Sequence, residues 1–213
     1  MLDLSLPTII TALITLLIAF TVHEFAHAWT ADQLGDDTPR LNGRLTLNPL
    51  AHLDPLGSLM LLFAGIGWAK PVPVNPYNFQ RNSRAGMMLV SAAGPFSNLL
   101  MAIVAAIPFK MGLLSVYDPS GRFLPSISSF LIGFIYFNLI LLLFNLIPVF
   151  PLDGEKVLEY FLPPSGKDTL YRLRPYGPMI LIGLIFMGQF VGIDFIGTLI
   201  GRPVQIILSL LLS

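Results

Sequence analysis

The residues best suited to chemistry lie in a short H-E-x-x-H segment that runs from His23 to His27. On an α-helix, residues four apart differ by about 40° around the axis and about 6 Å along it, so both imidazoles can reach one metal ion. Glu24 can accept a proton from a metal-bound water, the general-base role of this motif in metallohydrolases. Two imidazoles and a carboxylate around an open position are typical of catalytic zinc. The segment therefore predicts a hydrolytic site with one Zn²⁺ per chain.

The third zinc ligand does not follow the templates of soluble metalloproteases. The extended form of the motif requires glycine and histidine where this chain has Thr30 and Gln33. Templates with a downstream glutamate on a nearby helix also fail, because no glutamate occurs between Glu24 and Glu155. The third ligand must come from a distant part of the sequence.

The composition indicates a membrane protein. Of the 213 residues, 54% are hydrophobic and 11% are charged, whereas roughly a quarter are charged in an average soluble domain. Twelve basic residues balance twelve acidic ones, so the charge gives no indication of a nucleic-acid partner. The absence of cysteine excludes disulfides, thiolate metal ligands and cysteine nucleophiles. With no repeat or long linker, we expect one membrane-embedded domain over residues 1–213 whose main partner is the lipid bilayer.

Four apolar stretches are long enough to cross a bilayer, for which a helix needs about 20 apolar residues. They cover Thr8 to about Thr30, Ala85 to Ile107, Ser126 to Phe150, and Pro175 to about Gly201. The predicted fold class is an all-α polytopic membrane protein with about four main transmembrane helices.

Three shorter segments complete this expectation. Leu56 to Ala69 is too short to span and predicts a re-entrant or interfacial segment. The residues from Gly43 to Pro49 predict a short strand that ends in a turn. Val204 to Leu212 predicts a short apolar helix at the C-terminus, either on the membrane surface or continuing the fourth span.

The distribution of basic residues predicts the orientation. Four crossings put nine of them on one side: Arg40, Arg44, Lys70, Arg81, Arg84, Lys156, Lys167, Arg172 and Arg174. The other side has three: Lys110, Arg122 and Arg202. Because basic loops stay in the cytosol, we expect a multi-pass protein with its N-terminus outside and the His23–His27 segment toward the cytosolic side.

Five side chains on that side could supply the third ligand: His52, Asp54, Asp153, Glu155 and Glu159. Asp153 is the strongest candidate, because Pro148 and Pro151 break the third span just before it and Gly154 follows. Irregular backbone at membrane depth is tolerated only beside protein or water that satisfies its polar groups.

Three motifs together resemble the site-2 protease family of intramembrane zinc metalloproteases. They are the H-E-x-x-H segment His23–His27, the G-P-F-S-N segment from Gly94 to Asn98, and the segment Asn145–Gly154 that ends the third span. The resemblance covers residues from about 8 to 160. The segment Leu47–Gly57 is similar to the compact bacterial and archaeal branch, which lacks inserted domains and implies a prokaryotic cell membrane.

The resemblance implies that His23, His27 and Asp153 bind zinc and that Glu24 activates water. It further implies that Asn98 positions the substrate or polarises its carbonyl, and that a transmembrane segment of a protein substrate is cut within the bilayer. His52 could line the site, orient a second residue or belong to the loop. The region from Leu56 to Pro76 would dock the peptide, for which pairing with an extended substrate strand is one means.

Two other classes of function use the same residues. A metal transporter or sensor needs the same three ligands in a membrane, and a non-catalytic scaffold would bind membrane segments without cutting them. The glutamate beside an open ligand set favours hydrolysis over both.

Overall fold

The computed structural model describes residues 5–57, 67–79, 83–118, 121–191 and 197–213. This part of the chain is mostly helical and contains no β-sheet. Three helices are long and apolar enough to cross a membrane: α1 (Leu6–Gln33), α3 (Ser83–Lys110) and α4 (Ile127–Asn145). They correspond to the first three predicted spans and confirm a helical chain with several apolar helices.

Shorter helices follow or connect these three. The helix α2 covers Thr38–Leu41, and α5 (Asp153–Phe161) and α6 (Pro164–Leu173) follow α4. Two more, α7 (Gly177–Val191) and α8 (Arg202–Leu212), complete the chain. The predicted C-terminal helix is therefore present as α8, where Val204 is fully buried in the main hydrophobic core.

The prediction of a fourth span from residue 175 to residue 201 is not tested. This stretch of the chain begins in a 3₁₀ turn at residues 174–176 and continues through the 15 residues of α7. It ends in a π-helix at Gly197–Gly201. Residues 192–196 between them lie outside the described ranges. A fourth crossing stays a prediction.

The core forms where α3 and α4 pack together, and α1 packs against both. α3 contributes three buried alanines, Ala102, Ala105 and Ala106, which face larger α4 side chains such as Ile135 and Leu139. Small residues let membrane helices approach closely, since lipid supplies no hydrophobic force to drive them together. α1 lies beside α3 at the depth of His23 and His27, where Gly94 and Val90 of α3 face the two imidazoles.

The strand predicted from Gly43 to Pro49 is wrong. This segment has no strand, and a 3₁₀ helix at Pro49–Ala51 follows it, capped by the Asn48 side chain at 3.1 Å from the nitrogen of Leu50. The physical reason is that no strand in the described part of the chain pairs with the segment. The Arg44 guanidinium instead donates to the carbonyl oxygens of Ala51 and Lys70.

The re-entrant segment predicted at residues 56–69 lies largely outside the described ranges. At its ends, one isolated antiparallel bridge joins Leu53 to Ala69, and the nitrogen of Lys70 donates to the carbonyl oxygen of His52 at 2.8 Å. The two ends are thus held together, while the re-entrant form of the segment stays a prediction.

Asp36 ties the end of α1 to the segment that precedes α3. Its carboxylate is fully buried and accepts hydrogen bonds from Thr38 and from two residues far along the chain. The Asn75 nitrogen lies at 2.7 Å and the Asn78 side-chain nitrogen at 2.9 Å. Burial raises the pKa of the Asp36 carboxyl, but these hydrogen bonds outweigh burial and hold the pKa below its usual value.

We expect Asp36→Asn to destabilise the protein by about 1–3 kcal/mol at neutral pH, because an amide nitrogen cannot accept the bonds that one carboxylate oxygen receives. Since the folded-state pKa is depressed, the stabilisation is present above the unfolded value of about 3.9 and is lost as pH falls through the folded value. Thermal unfolding in detergent from pH 7 to pH 3 should show the variant and the wild type converging at the acidic end. Asp37→Asn, at an exposed neighbour, is the control, and an equal loss in both variants would contradict the prediction.

Candidate metal centre

Two histidines of α1 and the first residue of α5 meet in one buried cluster. His23 and His27 are buried, and the Asp153 side chain is 15% exposed. The Asp153 Oδ2 atom lies 3.1 Å from His23 Nε2 and 3.4 Å from His27 Nε2. The potential ligand atoms of all three residues lie within 4.8 Å of one another. The structure thus brings Asp153, distant in sequence, to the H-E-x-x-H segment.

The hydrogen bonds of His27 settle which of its nitrogens carries the hydrogen. Its Nδ1 atom lies 2.7 Å from the carbonyl oxygen of Val90 in α3. A backbone carbonyl can only accept, so Nδ1 must donate, which leaves Nε2, on the side of Asp153, as the nitrogen that could bind a metal. Metal-bound histidines usually have such a partner on the second nitrogen.

The geometry fits a tetrahedral zinc ion. Ligands that are about 2.0–2.2 Å from a tetrahedrally coordinated zinc lie about 3.3–3.6 Å from one another. The distances of 3.1 and 3.4 Å from Asp153 to the two imidazoles are close to this range. An imidazole nitrogen and a carboxylate oxygen approach this closely when a proton or a metal ion lies between them. His23, His27 and Asp153 therefore fit the predicted ligand set, with a fourth position left for water or substrate.

The backbone around Asp153 explains how the carboxylate reaches the histidines. α4 ends at Asn145, and α5 begins at Asp153 after a non-helical segment. A Cβ atom on Gly154 would lie 2.3 Å from the carbonyl oxygen of Leu146, so only glycine lets the start of α5 fold against the end of α4. The N-terminus of a helix also favours a carboxylate in its first turn.

Gly94 of α3 lies directly against the two imidazoles. A Cβ atom there would be 2.5 Å from the Nε2 atoms of both His23 and His27, closer than real Cβ contacts occur. The missing side chain keeps open the space beside the two predicted metal-binding nitrogens. This is the close approach that the G-P-F-S-N motif provides.

Glu24, the predicted base, is partly exposed on α1 next to His23. Its charge acts on His27 and on the buried guanidinium of Arg44. Burial lowers the pKa of Arg44, and the Glu24 carboxylate opposes that effect. The carboxylate therefore lies in the electrostatic neighbourhood of both the cluster and the loop that Arg44 organises.

The other ligand candidates are engaged elsewhere. Asp54 accepts from the nitrogen of Gly57 at 2.7 Å, and Glu155 and Glu159 pair with Arg174. His52 is 1% exposed, and its Nε2 atom lies 2.7 Å from the carbonyl oxygen of Thr46 within the loop. None of these four belongs to the cluster, and an indirect role for His52 stays a prediction.

Asn98 is fully buried, with its Oδ1 atom 2.6 Å from His23 Nδ1 and its Nδ2 atom donating to Asn138 at 2.9 Å. Its predicted contact with substrate stays a prediction. Asn138, in the middle of α4, is not among the predicted site residues, because it is not ionisable. An uncharged polar side chain within an otherwise apolar span is the signal that would have pointed to it.

Comparisons with known proteins concern the chain as a whole. A protein of Bacillus subtilis (strain 168) named "Putative zinc metalloprotease YwhC" is 42% identical over 182 residues, which cover 84% of this chain and 82% of that protein. Two proteins named "Putative zinc metalloprotease Rip2" are 32% identical in Mycolicibacterium smegmatis and 30% identical in Mycobacterium tuberculosis (strain H37Rv). These matches cover 79% and 84% of this chain and 64% and 69% of the respective relatives.

No family model and no solved structure matches the chain. The identity to YwhC extends over most of both proteins, and the match to Rip2 covers a similar share of this chain. The chain therefore belongs to the site-2 protease family of zinc metalloproteases.

Proposed function

We propose that the protein is an intramembrane zinc metalloendopeptidase, which hydrolyses peptide bonds within or near the transmembrane segments of membrane proteins. The observation that carries this proposal is the convergence of His23, His27 and Asp153, whose potential ligand atoms lie within 4.8 Å of one another. Membership of a zinc metalloprotease family supports hydrolysis, and the apolar helix around the two histidines supports a site within the bilayer.

The chain supplies separate groups for holding the metal and for moving the proton. His23 Nε2, His27 Nε2 and an Asp153 oxygen would hold zinc, which when bound supplies Lewis-acid chemistry at the scissile carbonyl and its attacking water. The Glu24 carboxylate takes one proton from that water as the oxygen adds to the carbonyl carbon. It then returns the proton to the leaving nitrogen as the carbon–nitrogen bond breaks.

The substrate must present an extended peptide to this site. A fully hydrogen-bonded helix hides its carbonyl carbons, so the substrate's transmembrane segment has to unwind near the cut. The basic loops around the site support an orientation with the active site toward the cytosol and the N-terminus outside. The partners in this proposal are a membrane-protein substrate and the surrounding lipid, with no nucleic acid.

We expect Glu24→Gln to lower peptide cleavage by about 10²–10⁴-fold while zinc remains bound, because the amide keeps the shape of the side chain but cannot take a proton. The measurement is cleavage of a transmembrane peptide by purified protein in liposomes, together with zinc content by elemental analysis. Asp168→Asn, at an exposed carboxylate on α6, is the control. Cleavage by the glutamine variant at the wild-type rate would show that Glu24 is not the base.

We expect Gly94→Ala to lower zinc affinity by about tenfold or more, because its methyl group displaces the imidazoles. Competition with a chelator measures the affinity, and circular dichroism checks that the helices remain. Gly201→Ala is the matched control, since a Cβ atom at that helical glycine meets nothing within 4 Å. Unchanged zinc binding in the Gly94 variant would remove the two histidines from the proposed site.

The same liposomes separate the proposal from the transporter reading. A transporter would move Zn²⁺ into the vesicles. Because transport needs no general base, a Glu24→Gln variant that still binds zinc should then still transport it. Zinc flux without peptide cleavage in the wild type would replace the proposed function, whereas cleavage without flux supports it.

A further inference from the structure

A chain of polar side chains runs from the metal cluster through the middle of three helices. It begins at His23 in α1, passes through Asn98 in α3 and ends at Asn138 in α4. Asn138 in turn donates from its Nδ2 atom to the carbonyl oxygen of Phe134, one turn earlier, at 2.8 Å. Both asparagines are fully buried, and His23 is 5% exposed. Polar groups at this depth have no water to exchange partners with.

The carbonyl of Phe134 sets the direction of every bond in this chain. A backbone carbonyl only accepts, so the amide nitrogen of Asn138 faces it and the amide oxygen of Asn138 faces Asn98. That oxygen accepts from the Asn98 nitrogen, which leaves the Asn98 oxygen toward His23. The His23 Nδ1 atom must then carry the hydrogen, and its Nε2 lone pair is directed at Asp153.

We infer that Asn138 is a positioning residue for the metal site. Acting through Asn98, it holds His23 in the tautomer whose Nε2 can bind a metal. The inference rests on the zinc-binding part of the proposed function and is independent of whether the protein cleaves peptides.

The competing arrangement shows why such control matters. If the hydrogen of His23 moved to Nε2, the imidazole would donate directly to Asp153 across the 3.1 Å contact. That hydrogen bond would occupy one predicted ligand atom of each residue and would compete with the metal. In His27, a direct hydrogen bond to the Val90 carbonyl keeps the hydrogen on Nδ1. In His23, the same effect depends on the side chains of Asn98 and Asn138.

Two substitutions at Asn138 test whether the hydrogen bond that it accepts from Asn98 controls zinc binding. Asn138→Leu removes the acceptor that orients Asn98 and should weaken zinc binding by about tenfold, the lower end of the usual effect of losing a direct partner of a metal-binding histidine. Asn138→Asp keeps the shape, and in apolar surroundings the new carboxyl is neutral. Its hydroxyl can donate to Phe134 while its carbonyl accepts from Asn98, so zinc affinity should stay within about threefold of the wild type.

The test measures zinc dissociation constants by chelator competition on the purified full chain in detergent, with the wild type and both variants. Nitrogen-15 NMR of labelled histidine, in the metal-free protein, reports which ring nitrogen carries the hydrogen, and only three histidines contribute signals. Asn138→Leu should show His23 with hydrogen on Nε2, and Asn138→Asp should not. Leu139→Ala is the packing control: it removes a fully buried neighbour and should lower thermal stability without changing the tautomer.

The outcomes are distinct from those that test the proposed function. The inference is overturned if Asn138→Leu binds zinc like the wild type, if Leu139→Ala weakens zinc equally, or if Asn138→Asp behaves like the leucine variant. A wild type that binds no zinc would overturn the proposed function as well. A wild type that binds zinc but cleaves no peptide would overturn proteolysis alone and leave the role of Asn138 standing.

Discussion

The structure depends on the short contact between Asp153 and the two histidines. The Asp153 carboxylate faces two imidazole nitrogens at 3.1 and 3.4 Å, and a neighbour of each histidine takes the hydrogen of its other nitrogen. In apolar surroundings such a contact is favourable when a proton or a bound cation lies between the two groups. It also joins parts of the sequence more than a hundred residues apart, because the histidines lie in α1 and Asp153 begins α5.

The surrounding helices are arranged to satisfy polar groups where water is absent. α3 supplies a carbonyl at Val90, an open space at Gly94 and an amide at Asn98, all on one face. From Leu99 to Phe109 it is apolar, and its small residues there pack against α4. One helix thus provides both the packing surface of the bundle and the hydrogen-bond partners of the site.

Features set by local spacing could be predicted from the sequence. The placement of His23 and His27 on one helical face follows from helix geometry, and the three spans follow from length and apolarity. Choosing Asp153 over Glu155 was possible because the breaks at Pro148 and Pro151 set the start of α5. The structure adds that Glu155 is turned away and paired with Arg174.

Features set by long-range contacts could not be predicted. Two leucines alternating with polar residues after Gly43 resemble a strand, but the buried Arg44 bonds to two distant carbonyls and no strand partner is present in the described residues. Asn138 carries no charge and belongs to no motif, so its importance became visible only when α3 and α4 were placed together. The roles of Arg44 and Asn138 both depend on partners far along the chain, which the local sequence pattern does not identify.

The contact of Gly94 with the imidazoles has a consequence for protein engineering. Glycine inside a helix costs about 1 kcal/mol relative to alanine, and Pro95 beside it weakens α3 further. Helix propensity alone would favour alanine at this position in a more heat-resistant variant. The clash with both histidines means that this choice would stabilise the helix and displace the proposed metal ligands, so the glycine keeps α3 less stable than an alanine would make it.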